Sequence, residues 1–133
     1  MKKAFILVFI MVLGIVGCGN KVENEKEIVS IKIECADLCK TMKNTPFTEK
    51  TYENEEEIRI FQRAINTAEK INGILDYGVV FYMYVSFEDG TQKKFVLNVA
   101  DDDSSTALLV DTAHSEQGYT IPKDQTKELR KTL

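Results

Sequence analysis

Between Val79 and Val99 the chain reads VVFYMYVSFEDGTQKKFVLNV. Two β-rich runs flank Glu88-Asp89-Gly90, and Asp-Gly between alternating apolar runs is a strong short-range signal of a β-hairpin. The alternation also selects the register. A two-residue loop, Asp89-Gly90, opposes Phe81 to Asn98 and Val85 to Lys94. A three-residue loop opposes Phe81 to Leu97, Met83 to Phe95 and Val79 to Val99. This second register gathers apolar residues on one face. It sends Val80, Tyr82, Tyr84, Ser86, Gln92, Lys94, Val96 and Asn98 to the other. A one-residue slip moves every side chain to the wrong face, so the pattern predicts the three-residue loop, with Gly90 left-handed in a bulge.

The flanking segments carry weaker patterns. Val29, Ile31, Ile33 and Cys35 alternate with polar residues and predict a half-buried strand. Thr45-Pro46-Phe47 turns into a short extended stretch ending at Tyr52. Asn54 reads as a helix N-cap, with Glu57 three residues on as an approximate capping box. Ile58, Phe61, Ala64, Ile65 and Ala68 follow at helical spacing, so an amphipathic helix is predicted over Glu55–Lys70, stopped by Asn72-Gly73. The acidic run Glu53–Glu57 is explained by the positive end of that helix. Ala107–Val110 predicts a further strand and Tyr119–Ile121 a short extended piece. Pro122 suits the first turn of a closing helix over Lys123–Leu133, whose apolar contacts are Leu129 and Leu133.

These elements predict an α+β fold. Its expected form is a small antiparallel sheet of about four strands built on the central hairpin, with one amphipathic helix packed on it and a short C-terminal helix.

The first residues do not belong to that domain. Lys2 and Lys3 precede an apolar stretch, Ala4–Val16, which is too short to span a bilayer. Ile15-Val16-Gly17-Cys18 then looks like a lipobox. The expected organisation is a lipoprotein signal peptide over 1–17, a polar tether anchored by lipid on Cys18 over 18–27, and a single domain over 28–133. The expected location is the extracytoplasmic face of the cell membrane. The alternative is an ordinary secretory signal in which Cys18 is incidental. Cleavage removes Lys2 and Lys3 and no acidic residue, so the net charge moves from −4 to −6. An anionic membrane repels such a body, which leaves the lipid to hold it there. The acidic balance also argues against a nucleic-acid partner.

Candidate chemistry is sparse. Cys35 and Cys39 form a disulfide only if the chain turns directly after Glu34, because four extended residues span roughly 13 Å. Two buried free thiols are the alternative, and a metal site joining both cysteines to His114 is a third. The loop Ala100–Ser105 invites a calcium reading through Asp101 and Asp103. Against the EF-hand pattern it places Ser105 acceptably and then fails, with Thr106 for glycine and Thr112 for glutamate. His114 is the sole histidine, and its neighbours Asp111 and Ser115 form no recognisable catalytic motif. No catalytic residue, cofactor or small-molecule substrate is therefore assigned. More suggestive is the polar side of the hairpin, where Tyr82, Tyr84, Val96 and Lys94 form a strip suited to a protein partner in the envelope. Burial of that strip under another segment is the alternative.

Three stretches resemble a known family. Phe87-Glu88-Asp89-Gly90-Thr91, Leu108-Leu109-Val110-Asp111 and Gly118-Tyr119-Thr120-Ile121 with its lysine-rich helix are similar to the YhfM-like domain, over about Ile28–Leu133. The resemblance implies a small cell-surface lipoprotein of Gram-positive, Bacillus-type bacteria and carries no functional residue with it. The leading expectation is a non-catalytic binding module at the cell surface. The alternatives are a small envelope hydrolase using His114 and a calcium-dependent surface module.

Overall fold

The computed structural model describes residues 26–73, 75–100, 102 and 105–133. The hairpin is formed by β4 (Phe81–Phe87) and β5 (Gln92–Asn98). Phe81 opposes Leu97 and Met83 opposes Phe95, the register predicted from the alternation. Three residues close the turn. Gly90 has φ 84°, and its N–H donates to the Phe87 carbonyl, so a residue without Cβ is needed there.

The sheet around the hairpin is larger than the expected four strands. β1 (Ile28–Cys35), β2 (Glu49–Tyr52), β3 (Glu69–Lys70), β6 (Ala107–Asp111) and β7 (Gly118–Ile121) bring it to seven, in the order β2-β1-β4-β5-β6-β7-β3. All neighbours are antiparallel. Among the described residues the α-helices are α1 (Asp37–Lys40), α2 (Glu55–Thr67) and α3 (Lys123–Thr132), where two were expected. The architecture is thus mostly sheet, and the small four-stranded fold is corrected. The additional strands are two to four residues long, too short to show a period of their own; their neighbours make them strands.

Two local corrections have clear causes. The predicted inward residue Val29 is 47 % exposed and Ile28 is buried, because the pairing of β1 with β4 shifts by one residue between Ile28 and Ser30. Such a bulge turns the alternation over. Asn54 caps α2 as predicted, its side chain accepting from the Glu56 N–H at 2.9 Å. But α2 ends at Thr67, well before Asn72-Gly73, because Glu69 and Lys70 pair with Thr120 and Tyr119 of β7. A sheet edge competes here with the last helical turn and wins.

The core lies between the sheet and the two longer helices. Ile31, Ile33, Phe81, Met83, Val85, Phe95, Leu97 and Leu109 meet Phe61 and Ile65 of α2 and Leu129 of α3 in one buried cluster. Each large side chain so buried contributes roughly 1.5–3 kcal/mol. Thr126 is fully buried in this layer, and its hydroxyl is satisfied on both sides. It donates to the Ile121 carbonyl and accepts from the Ala107 N–H, each at 3.0 Å. Tyr52 is 1 % exposed, packs on Phe61 and donates to the Thr132 carbonyl at 3.0 Å. Burial, with the nearby Glu57 carboxylate, pushes its phenol up to about 12.

Two crossings wrap the sheet. α2 carries the chain from β2 at one edge to β3 at the other, across the core face. The return from β3 to β4 then crosses the opposite, outer face as a strap whose described residues are 71–73 and 75–80. The Ile71 N–H bonds the Gly118 carbonyl, Leu75 lies over Gly118 and Leu108, and the Tyr77 hydroxyl donates to the Ser115 carbonyl at 2.9 Å. At its far end the Asn98 amide holds both sides of the turn into β4. Its oxygen accepts from the Val80 N–H at 2.8 Å, and its nitrogen donates to the Gly78 carbonyl at 2.7 Å.

Candidate functional site

The strap divides the outer face. On one side of the division Val96 pairs with Val110, and Val110 with Gly118. Val96 is 4 % and Val110 0 % exposed, although neither belongs to the core cluster of the inner face. This explains the unbroken apolar run of β6. A strand covered on both faces need not alternate. Val96 was expected to line a partner surface and is instead buried, so it offers no contact.

The other side of the division stays open. Tyr82 and Tyr84 of β4, Lys94 of β5 and Lys32 of β1 are all half-buried. Lys32, Tyr84 and Lys94 form one cross-strand row. The Lys94 ammonium stands 4.0 Å from the Tyr82 ring centre and 5.5 Å from that of Tyr84. Lys32 stands 4.6 Å from the Tyr84 ring. Each such cation–π contact contributes about 0.5–1 kcal/mol at an exposed site, enough to order the rings without hiding them. The result is two oriented tyrosines under two cations on rigid backbone. Three of the four predicted strip residues are brought together here. Lys32 joins them from a strand whose pairing partner the sequence pattern did not reveal.

The remaining candidates are placed as follows. Cys18 lies outside the described residues, as do Asp101 and Asp103 of the expected calcium loop. Asp102 is described, and its carbonyl accepts from Arg130 Nη2 at 2.6 Å and from Ser105. Cys35 and Cys39 are joined in a disulfide with Cα atoms 5.3 Å apart, made possible by the turn into α1 directly after β1. Bonded to each other, they are not thiolate ligands, which removes the metal site with His114. Among the described residues no group of three or more His, Cys, Asp or Glu side chains is placed to hold a metal ion. His114 ends an exposed 3-10 turn over Thr112–His114. The Asp111 carboxylate caps that turn by accepting from the Ala113 N–H at 2.9 Å.

One feature was not legible in the pattern. At the end of the sheet remote from the hairpin turn, Leu38, Met42, Val80, Asn98, Val99 and Leu108 line a cleft of about 340 Å³. Leu38 is 46 % exposed at its rim and rests against Gly78 of the strap. A smaller hollow of about 100 Å³ continues past Met42 toward Pro46, Arg130 and Leu133. Four separate stretches of chain build this end, so no single spacing announces it. No helix among the described residues is long and apolar enough to cross a membrane.

No curated protein and no solved structure matches the chain. The family described as YhfM protein matches residues 23–133, the hairpin, the strap and both longer helices included, and the chain belongs to that family.

Proposed function

We propose that this protein is a lipoprotein of a Gram-positive cell envelope, held on the outer face of the cytoplasmic membrane by lipid on Cys18. On this reading it is a non-catalytic binding module, without a cofactor, that contacts an envelope protein through Tyr82, Tyr84 and Lys94. The leader favours the anchor, with Lys2 and Lys3, a short apolar stretch and Ile15-Val16-Gly17-Cys18. The Cys35–Cys39 disulfide suits an oxidising compartment. The observation that carries the binding reading is the open half of the outer face. Tyrosines that present large area at small entropic cost are good contact residues, and here lysines already hold the rings.

The test is a photo-crosslinking residue at position 84 of the anchored protein, irradiated in living cells. One dominant captured protein is expected, lost when Tyr82→Ser is added while the thermal unfolding curve is unchanged. No capture from folded, anchored protein overturns the binding surface. Mass spectrometry of the purified chain tests the anchor, with diacylglyceryl on an N-terminal Cys18 as the expected product.

A further inference from the structure

The point where the tether meets the domain is fastened to one end of the sheet. Lys26 lies 2.8 Å from the Asp89 carboxylate in the hairpin turn and donates to the Thr91 hydroxyl at 3.2 Å. Its ammonium also stands 5.9 Å from the Phe87 ring. One residue on, the Glu27 carbonyl accepts from the Glu88 N–H at 3.0 Å. Asp89 is fixed in turn by the Thr91 N–H at 2.9 Å and by the Thr91 hydroxyl. These donors, Lys26 first, hold its carboxyl well below the usual carboxylate range. Lys26 and Glu27 fall within the stretch expected to be free tether, and they are instead clasped to the turn.

From this clasp β1 runs eight residues to Cys35, a length of roughly 26 Å. The disulfide, α1 and the Leu38 cleft all lie at that far end. Eight peptide steps separate Cys18 from Lys26. No eight-residue run reaches farther than about 28 Å, whatever its conformation. Turning the far end to the bilayer therefore requires the tether to run nearly taut along the whole strand. Keeping the hairpin turn toward the bilayer requires no such stretching, and chain entropy favours it.

We infer that the Lys26–Asp89–Thr91 clasp makes the β4–β5 turn the membrane-facing end of the anchored protein and points the Leu38 cleft away from the lipid. This rests on the lipoprotein reading above. The outer face bearing Tyr82 and Tyr84 then stands upright on the membrane, open from the side.

The experiment uses full-length lipidated protein in phosphatidylglycerol–phosphatidylcholine vesicles carrying a headgroup acceptor dye. A fluorescent non-natural amino acid replaces either Glu88 or Lys40, both exposed, so that no cysteine is disturbed. Energy transfer from position 88 is expected to exceed that from position 40 by roughly twofold or more, given their separation by about the length of β1. Equal transfer, or more from position 40, overturns the orientation. Lys26→Ala, a change at an exposed side chain, is expected to narrow the difference, and an unchanged difference overturns the role of the clasp. Absence of lipid on Cys18 by mass spectrometry sinks the anchor and the orientation together. Lipid present with equal transfer sinks the orientation alone.

Discussion

Val96 and Tyr84 stand on the same face of the same hairpin, in adjacent cross-strand rows, and have opposite fates. Val96 is 4 % exposed under the strap, whereas Tyr84 is half-buried between two lysines. Alternation assigns both to the outer face equally well. What separates them is the route of the strap, which must return from β3 at one edge to β4 in the middle of the sheet. That route passes over Gly118 of β7 and Leu108 of β6 and is latched to Asn98 of β5, and it leaves the outer residues of β1 and β4 half-buried. An outer face is therefore not one surface. The covered half behaves as a small second core, and the open half keeps its tyrosine rings and lysines half-buried at the surface.

The comparison is broken most severely by a charge in the covered half. Val110→Asp buries an unpaired carboxylate at a site with no exposure, and a loss of about 3–5 kcal/mol is expected in urea unfolding. Lys94→Asp, one cross-strand row away in the open half, loses two cation–π contacts and should cost about 1–2 kcal/mol by the same measurement. Equal costs would mean that the strap does not cover the first site.

The latch comes next. Asn98→Ala removes both hydrogen bonds that hold Val80 and Gly78, and a loss of about 1–3 kcal/mol is expected. Hydrogen exchange should then quicken at residues 75–80 and stay slow in the inner-face strands. Uniform acceleration would show that strap and sheet open as one unit. A gentler version is Gly118→Ala, whose new methyl would meet the Leu75 and Leu108 side chains. Those flexible ends have to shift, so about 1 kcal/mol is expected, with faster exchange confined to the strap.

The inner face sharpens the contrast through pH. Folding raises the Tyr52 phenol from 10.0 to about 12, so the folded state holds its proton longer than the unfolded chain. That contribution is complete below pH 10 and is lost as pH rises from 10 toward 12. Tyr52→Phe should flatten the fall in melting temperature over this window, and an unchanged fall would show that the buried phenol does not carry it.

Much of the fold is legible in local pattern. The hairpin register, the Asn54 cap, the inward residues of α2 and the start of α3 after Pro122 all follow from side-chain period and capping chemistry. What failed was whatever depends on a distant partner. β3 is two residues, Glu69-Lys70, both exposed, and only the free edge of β7 makes it a strand. Val29 reads as an inward residue until pairing with β4 introduces the bulge. The strip was half legible for the same reason. Tyr82, Tyr84 and Lys94 are fixed by the hairpin itself, whereas the cover over Val96 and the approach of Lys32 are set by segments far away in the chain.

The sequence by itself determined the hairpin with its three-residue turn, the faces of its strands and the amphipathic helix, because short-range sterics and period-two or period-3.6 burial act within a few residues. Tertiary structure alone decided that the sheet has seven strands among the described residues, that a strap crosses its outer face, and that Lys26 is clasped to the hairpin turn. Each of these joins residues tens of positions apart, where no local period acts. They are decided when the folded chain buries its apolar area and satisfies the backbone groups at its edges.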